Sequence, residues 1–180
     1  IRDGLVTGVQ TCALPICIRG ISFGDWALLP SRFALTAHTL NMLPELLALE
    51  KIIDLGGPHL QVQVVREVTM ASGQRFPVYA IGVGNPGLDV PAVGFFGGVH
   101  GLERIGAEVV IAYLQNVVMR LQWDTTLHQQ LERVRLVFMP IVNPGGMWSA
   151  TRANPRGVDL MRNAPVDAVD QVPFAIGGQR

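Results

Sequence analysis

The sequence predicts an α/β fold in which a mixed, mainly parallel central sheet is flanked by helices. Helical and strand-like apolar periodicities alternate along the chain, and one long helical pattern separates two short apolar strands. A strand–helix–strand connection of this kind joins parallel neighbours. No closing element follows the last predicted strand, so we expect this sheet to be incomplete on its C-terminal side.

The first half of the chain predicts a helix followed by a β-hairpin. Apolar residues at helical spacing cover Ser31–Leu55, and the firm part is Leu43–Leu55 because Pro44 suits the first turn of a helix. Apolar residues then alternate from Leu60 and recur over Phe76–Val83, with a turn of small residues between them. This pattern is typical of two antiparallel strands joined by a short loop.

The second half predicts the crossover unit. Pro91–Phe96 is a short apolar run bounded by glycine, which is typical of a buried central strand. Helical patterns follow over Glu103–Gln122 and Thr125–Arg133, and Arg135–Val142 is the next predicted strand. The remainder is predicted to be loop. Ligands of such sheets bind beyond the carboxyl ends of the strands, so the loops after Phe96 and Val142 are where we expect the chemistry.

Composition excludes two classes of partner. The chain has 180 residues, with 14 Lys and Arg against 14 Asp and Glu, so it offers no basic surface for nucleic acid or an anionic membrane. Its mean hydropathy of +0.33 is high. Gly, Pro or a charged residue nevertheless interrupts every apolar run well short of the ~20 residues that a membrane span needs.

The N-terminal segment does not resemble the rest of the chain. Val6–Ile16 reads VTGVQTCALPI, which resembles the translation of a common sequencing adapter, and we therefore treat Ile1–Cys17 as non-native. Both cysteines, Cys12 and Cys17, lie in it. The body then offers no disulfide and no thiolate ligand. Together with a poor match to a signal peptide, this leaves the compartment open and favours the cytoplasm.

Two loops carry the candidate chemistry. His100 and Glu103 follow the strand that ends at Phe96, and an imidazole with a carboxylate is a suitable pair of zinc ligands. The alternative is a polar loop whose Glu103 complements the dipole of the following helix.

The second loop is rich in arginine. Arg152, Arg156 and Arg162 accompany Asp159 in a chain that is otherwise poor in charge. Arginine binds carboxylates in bidentate fashion and stabilises developing oxyanions. A solvated surface loop is the alternative interpretation.

Taken together, these motifs resemble the zinc carboxypeptidase family of metallopeptidases, family M14. The resemblance extends from FFGGVHGLE, which ends at Glu103, through Asn143-Pro144 and Thr151-Arg152 to GVDLMRN, which ends at Asn163. It implies that His100 and Glu103 are two of three ligands of one Zn²⁺ ion.

The same resemblance implies roles for the second loop. Asp159 would hold the ring of the metal-bound histidine through its other N–H group. Arg152 would be catalytic, polarising the scissile carbonyl and stabilising its oxyanion. Arg162 and Asn163 would bind the substrate, Arg162 by gripping its terminal carboxylate.

Two departures from the family pattern are visible. Met161 stands where the family has an asparagine, and a thioether cannot donate a hydrogen bond to a substrate carboxylate. The third zinc ligand, a histidine, and the general-base glutamate of the family have no counterpart here, and we expect both beyond Arg180. The domain expectation is therefore a non-native segment over 1–17, an N-terminal helical segment over 18–58, and the N-terminal part of a catalytic domain over 59–180.

The predicted function of the intact parent is zinc-dependent hydrolysis of the C-terminal amide bond of a peptide. The first alternative is zinc-dependent deacylation of N-acyl amino acids, as in succinylglutamate desuccinylase and aspartoacylase relatives. The second is that this chain is an inactive fragment or a binding module, which would bind zinc weakly and hydrolyse nothing. The expected partner is a peptide or an N-acyl amino acid, and the oligomeric state is left open.

Overall fold

The computed structural model describes residues 43–163. Within this range the helices and strands alternate much as the periodicity predicts. The elements in chain order are α1 (Pro44–Gly56), β1 (Leu60–Thr69), β2 (Arg75–Gly84), β3 (Ala92–Phe96), α2 (Arg104–Leu121), α3 (Thr125–Leu131), β4 (Arg135–Met139) and α4 (Pro144–Trp148), with a single 3₁₀ turn (Gly57–His59) between α1 and β1. The part of the first predicted helix over 31–42 lies outside the described residues.

The four strands form one mixed sheet in the order β1-β2-β4-β3. The predicted hairpin is confirmed, since β1 and β2 pair antiparallel, and the predicted crossover is confirmed, since β3 and β4 pair parallel. The mixed α/β class is therefore correct. The described part of the sheet is less parallel than predicted, because β2 also meets β4 in antiparallel orientation.

The position of β3 differs from the prediction of a buried central strand. In the described part of the sheet β3 has β4 on one side only, and four of its five residues are exposed. The strands that are paired on both sides are instead β2 and β4. A short apolar run does not distinguish these positions, because an edge strand can have the same composition as a central one.

Helices α1 and α2 pack on the sheet and form the main core with it. Leu46, Leu114 and Val118 of the helices and Ile81 and Phe138 of the strands are completely buried. Removing a side chain of this size from water contributes about 1.5–3 kcal/mol to the stability of the fold. The core therefore fixes the sheet against α2, whose first turn adjoins the candidate site.

Element boundaries differ from the predictions where local chemistry intervenes. Strand β4 ends at Met139, because Pro140 has no N–H group for the ladder. The predicted loop after Val142 contains the short helix α4, which has Asn143 as its N-cap and a proline in its first turn. Among the described helices, none combines the length and apolar character required to cross a bilayer.

Candidate metal centre

The site lies at the carboxyl ends of β3 and β4, where the chemistry was expected. Hydrogen bonding between the two chain segments continues past the strands: Gly97 N–H donates to the Met139 carbonyl at 3.0 Å, and Asn143 N–H donates to the Gly98 carbonyl at 2.9 Å. The loop over 97–103 and the chain after β4 are therefore held together by their backbones. The following helix, α2, starts directly after Glu103.

Asn143 joins the two loops through its side chain. Its Nδ2 donates to the Val99 carbonyl at 3.2 Å, and its Oδ1 accepts from Gly146 N–H at 2.9 Å as the cap of α4. Only 2% of the residue is exposed. We did not predict this role from the sequence, although an Asn-Pro pair is a known helix-start signal.

A glycine contact brings the same loops even closer. A Cβ atom placed on Gly101 would lie 1.9 Å from the carbonyl carbon of Gly146 and 2.2 Å from the backbone nitrogen of Met147. No side chain fits at such distances. The backbone between His100 and Glu103 is thus in direct contact with the first turn of α4.

Three of the predicted site residues meet around one imidazole ring. His100 Nδ1 lies 3.1 Å from Glu103 Oε1, and His100 Nε2 lies 3.4 Å from Asp159 Oδ1. The histidine is buried, Asp159 has no exposed surface, and the Glu103 side chain is 53% exposed. The ring therefore has a buried carboxylate on one nitrogen and a solvent-accessible carboxylate on the other.

This arrangement fits a cation between His100 and Glu103. A neutral imidazole has one N–H group, and if Nε2 donates it to Asp159, then Nδ1 directs a lone pair toward a carboxylate oxygen that also carries lone pairs. Two such atoms 3.1 Å apart are stabilised by a positive centre, and imidazole nitrogen with carboxylate oxygen is a donor set that zinc accepts. Among residues 43–163 no group of three His, Cys, Asp or Glu side chains could hold a metal ion, so these residues supply two donors.

Asp159 is the centre of the hydrogen-bond network. Its Oδ2 accepts from Arg152 Nε at 2.7 Å, and its Oδ1 accepts from the backbone N–H groups of Met161 and Arg162 at 3.0 and 3.2 Å. Burial alone raises the pKa of this carboxyl, but the hydrogen bonds, above all that from Arg152, outweigh burial and hold the pKa below its usual value. Asp159 is thus an ionised acceptor that can orient the His100 ring.

The arginines lie around the same carboxylates. Arg152 also approaches Glu103, with Nη1 3.4 Å from Oε1, and its side chain is 28% exposed. Arg162 Nε lies 3.5 Å from Asp159 Oδ2. Asn163 Nδ2 donates to the Asp159 carbonyl at 2.9 Å, and Arg156 is exposed in the turn that precedes these residues. The structure thus brings all six predicted site residues to one place.

Comparison with known sequences gives a match to one family model and a similar plant protein. A sequence model of the zinc carboxypeptidase family, peptidase family M14, matches residues 63–174. Carboxypeptidase SOL1 of Arabidopsis thaliana is 30% identical over 93 residues, which make up 50% of this chain and 19% of that protein.

Solved structures give matches to the fold. The metallo-carboxypeptidase from Burkholderia cenocepacia superposes with a TM-score of 0.50 and 20% identity, over 64% of this chain and 30% of that one. An aspartoacylase family protein from Mesorhizobium loti matches over 62% of this chain and 32% of its own, at 22% identity, with a TM-score of 0.37. This chain therefore spans less than a third of the length of these relatives.

Proposed function

Because the chain belongs to the zinc carboxypeptidase family, we propose that it carries one part of a site for zinc-dependent hydrolysis of the C-terminal amide bond of a peptide. The observation that supports this most directly is the His100 ring, which has Glu103 on its Nδ1 side and the buried Asp159 on its Nε2 side. We propose that His100 and Glu103 bind zinc and that the third ligand and a general-base glutamate lie outside residues 43–163.

Each remaining side chain has a proposed task. Zinc, when bound, lowers the pKa of a coordinated water and polarises a carbonyl group. Asp159 holds the Nε2–H of His100 and so keeps the Nδ1 lone pair available. Arg152 is anchored by Asp159 while one Nη atom points toward Glu103, so its guanidinium can stabilise negative charge that develops on a carbonyl oxygen there.

We propose that Arg162 and Asn163 bind the carboxylate of the substrate. Both residues hydrogen-bond to Asp159, Arg162 through its backbone N–H and Asn163 through its side chain. They therefore lie close to His100, the proposed ligand that Asp159 contacts. A guanidinium in this place suits a bidentate contact with a carboxylate.

One observation favours a second candidate function. Met161 is the neighbour of Arg162 and presents a thioether in place of a hydrogen-bond donor, so a peptide C-terminus would be bound by fewer groups. A zinc-dependent deacylase of N-acyl amino acids would share the same His100 and Glu103 chemistry. A binding module without hydrolysis is the third candidate.

Two measurements test the proposal. Titration of the 180-residue chain with Zn²⁺ against a chromophoric chelator should show weak binding that His100→Ala abolishes, whereas His59→Ala, which changes an exposed histidine outside the site, should leave it unchanged. Equal binding by both variants would contradict the metal site.

Activity is tested on a longer protein in which this chain is joined to a segment carrying the proposed third ligand and general-base glutamate. We expect it to release C-terminal amino acids from peptides in a zinc-dependent manner. Hydrolysis of N-acyl amino acids without peptide cleavage would instead establish the deacylase, and hydrolysis of neither substrate would contradict both hydrolase candidates.

A further inference from the structure

Arg104 connects the start of α2 to two other helices. Its Nη1 donates to Glu45 Oε1 of α1 at 2.5 Å, and its Nη2 donates to the Met147 carbonyl of α4 at 3.1 Å. These partners lie 59 and 43 residues away in sequence. One guanidinium therefore fixes the first turn of α2 against α1 and against α4.

The backbone of Glu103, the residue before it, forms its hydrogen bonds within its own loop and the first turn of α2, where its carbonyl accepts from Gly106 N–H at 3.4 Å. Glu103 occupies the N-cap position of α2 with φ −93° and ψ 65°, and its side chain makes no capping hydrogen bond. Its own N–H donates to the His100 carbonyl at 3.1 Å, which is a contact within the same loop. Because the Glu103 side chain is 53% exposed, packing cannot fix its carboxylate either.

The ion pair between Arg104 and Glu45 is well suited to hold the first turn of α2 in place. Glu45 is 9% exposed, and its Oε2 is buried without a hydrogen-bond partner among the described residues. The negative charge of this carboxylate is therefore compensated mainly through the contact of Oε1 with Arg104. The planar guanidinium donates in two fixed directions, which a lysine ammonium does not do. The link is therefore both directional and costly to break.

We propose that Arg104 is a positioning residue for the metal ligand Glu103, acting by holding the first turn of α2 between α1 and α4. The proposal rests on the proposed function, since it assigns Glu103 the role of a ligand. It also extends the site, because Glu45 in α1 then contributes to metal affinity without touching the metal.

The test compares two arginine-to-methionine variants of α2 in the 180-residue chain. Arg120 makes its own carboxylate pair with Asp124 near the opposite end of the helix, so Arg120→Met is a matched control. With Zn²⁺ or Co²⁺ as the probe, Arg104→Met should lower metal affinity roughly tenfold, as loss of an outer partner of a ligand typically does, and Arg120→Met should not. Arg104→Lys should restore part of the affinity, because it retains the positive charge.

Equal affinities for the wild type and Arg104→Met would overturn the proposal. If Arg104→Met does not fold, Glu45→Gln replaces it in the test. This variant should fold and should weaken metal binding less than the loss of the arginine would. Unchanged metal affinity in Glu45→Gln would also overturn the proposal. If the wild type binds no metal, the proposed function fails. Hydrogen exchange at the Glu103 amide then decides the positioning role, since faster exchange in Arg104→Met than in Arg120→Met supports it and equal exchange refutes it.

Discussion

The two carboxylates that flank the His100 ring are held in opposite ways. Asp159 has no exposed surface and accepts hydrogen bonds from one arginine side chain and two backbone N–H groups. Glu103 is half-exposed, and its carboxylate approaches only His100 and Arg152 in the contacts described above.

These different surroundings suit the two carboxylates to different tasks, Asp159 to orienting the histidine and Glu103 to binding a metal ion. A carboxylate with all its acceptor sites occupied cannot exchange partners, so Asp159 is suited to hold the ring in one orientation. A carboxylate that faces solvent can exchange a water or a proton for a metal ion, so Glu103 is suited to bind. Substitution at Asp159 should therefore lower stability as well as disturb the histidine, whereas substitution at Glu103 should lower metal affinity with little effect on stability.

The largest expected effect is on stability at Asp159. Asp159→Asn replaces an acceptor with an amide that cannot satisfy both Arg152 and the backbone donors, and it leaves the partly buried Arg152 guanidinium without the charge of its buried carboxylate partner. We expect the free energy of unfolding to fall by about 3 kcal/mol. Urea denaturation at pH 7 measures this, and a loss below about 1 kcal/mol would remove the contrast between the two carboxylates.

The next effect is on metal affinity at Glu103. Glu103→Gln removes the charge of the proposed ligand from an exposed side chain, so zinc affinity should fall by more than about tenfold while the free energy of unfolding changes by less than about 0.5 kcal/mol. Chelator competition and urea denaturation provide the two values. Glu108→Gln, an exposed change on the same helix, is the control and should alter neither.

A smaller effect is expected in acid. Since the pKa of Asp159 is lowered in the folded protein, the unfolded chain binds more protons as pH falls through the ordinary value of 3.8. The stability that this carboxylate contributes is therefore fully present above pH 3.8 and is lost below it. Urea midpoints measured from pH 6 down to pH 3 should fall less steeply for Asp159→Asn than for the wild type; identical slopes would be incompatible with the hydrogen-bond network.

The smallest expected effect on stability comes from another carboxylate, Glu50, in which burial outweighs hydrogen bonding in setting the pKa. Glu50 accepts a hydrogen bond from the Tyr79 hydroxyl at 3.0 Å, yet burial raises its pKa above the usual value, and the charge of Asp54 adds to this. The folded state then binds more protons than the unfolded chain, so stability falls as pH rises above about 4.5. Glu50→Gln should abolish this decline, a change of less than about 1 kcal/mol, and an unaltered pH profile would assign the decline to other groups.

Much of the fold could be predicted from local sequence. The Pro44 helix start, the hairpin around Gly73 and the crossover from β3 to β4 all follow from residues that are neighbours in the chain. The position of β3 in the sheet could not be predicted in this way, because it depends on which strands pair with it and not on its own composition.

The site likewise contains residues that the local sequence predicts and residues that it does not. His100, Glu103 and Asp159 could be selected because strand ends and a family resemblance mark them. The link from Arg104 to Glu45 joins residues that are 59 positions apart, and no local pattern signals it. Helix α4 is an intermediate case: Asn143 and Pro144 are start signals, but two glycines in a helix of five residues obscure the pattern.

The contact between Gly101 and Gly146 has a consequence for how related sequences are compared. In the His-x-x-Glu spacing the two ends are the proposed metal ligands, whereas the residue after the histidine is restricted to glycine by the carbonyl carbon that would lie 1.9 Å from its Cβ. A homologue with a larger residue there must route its second loop differently. We therefore expect a residue larger than glycine at this position to accompany a different path of the second loop, even where the histidine and the glutamate are the same.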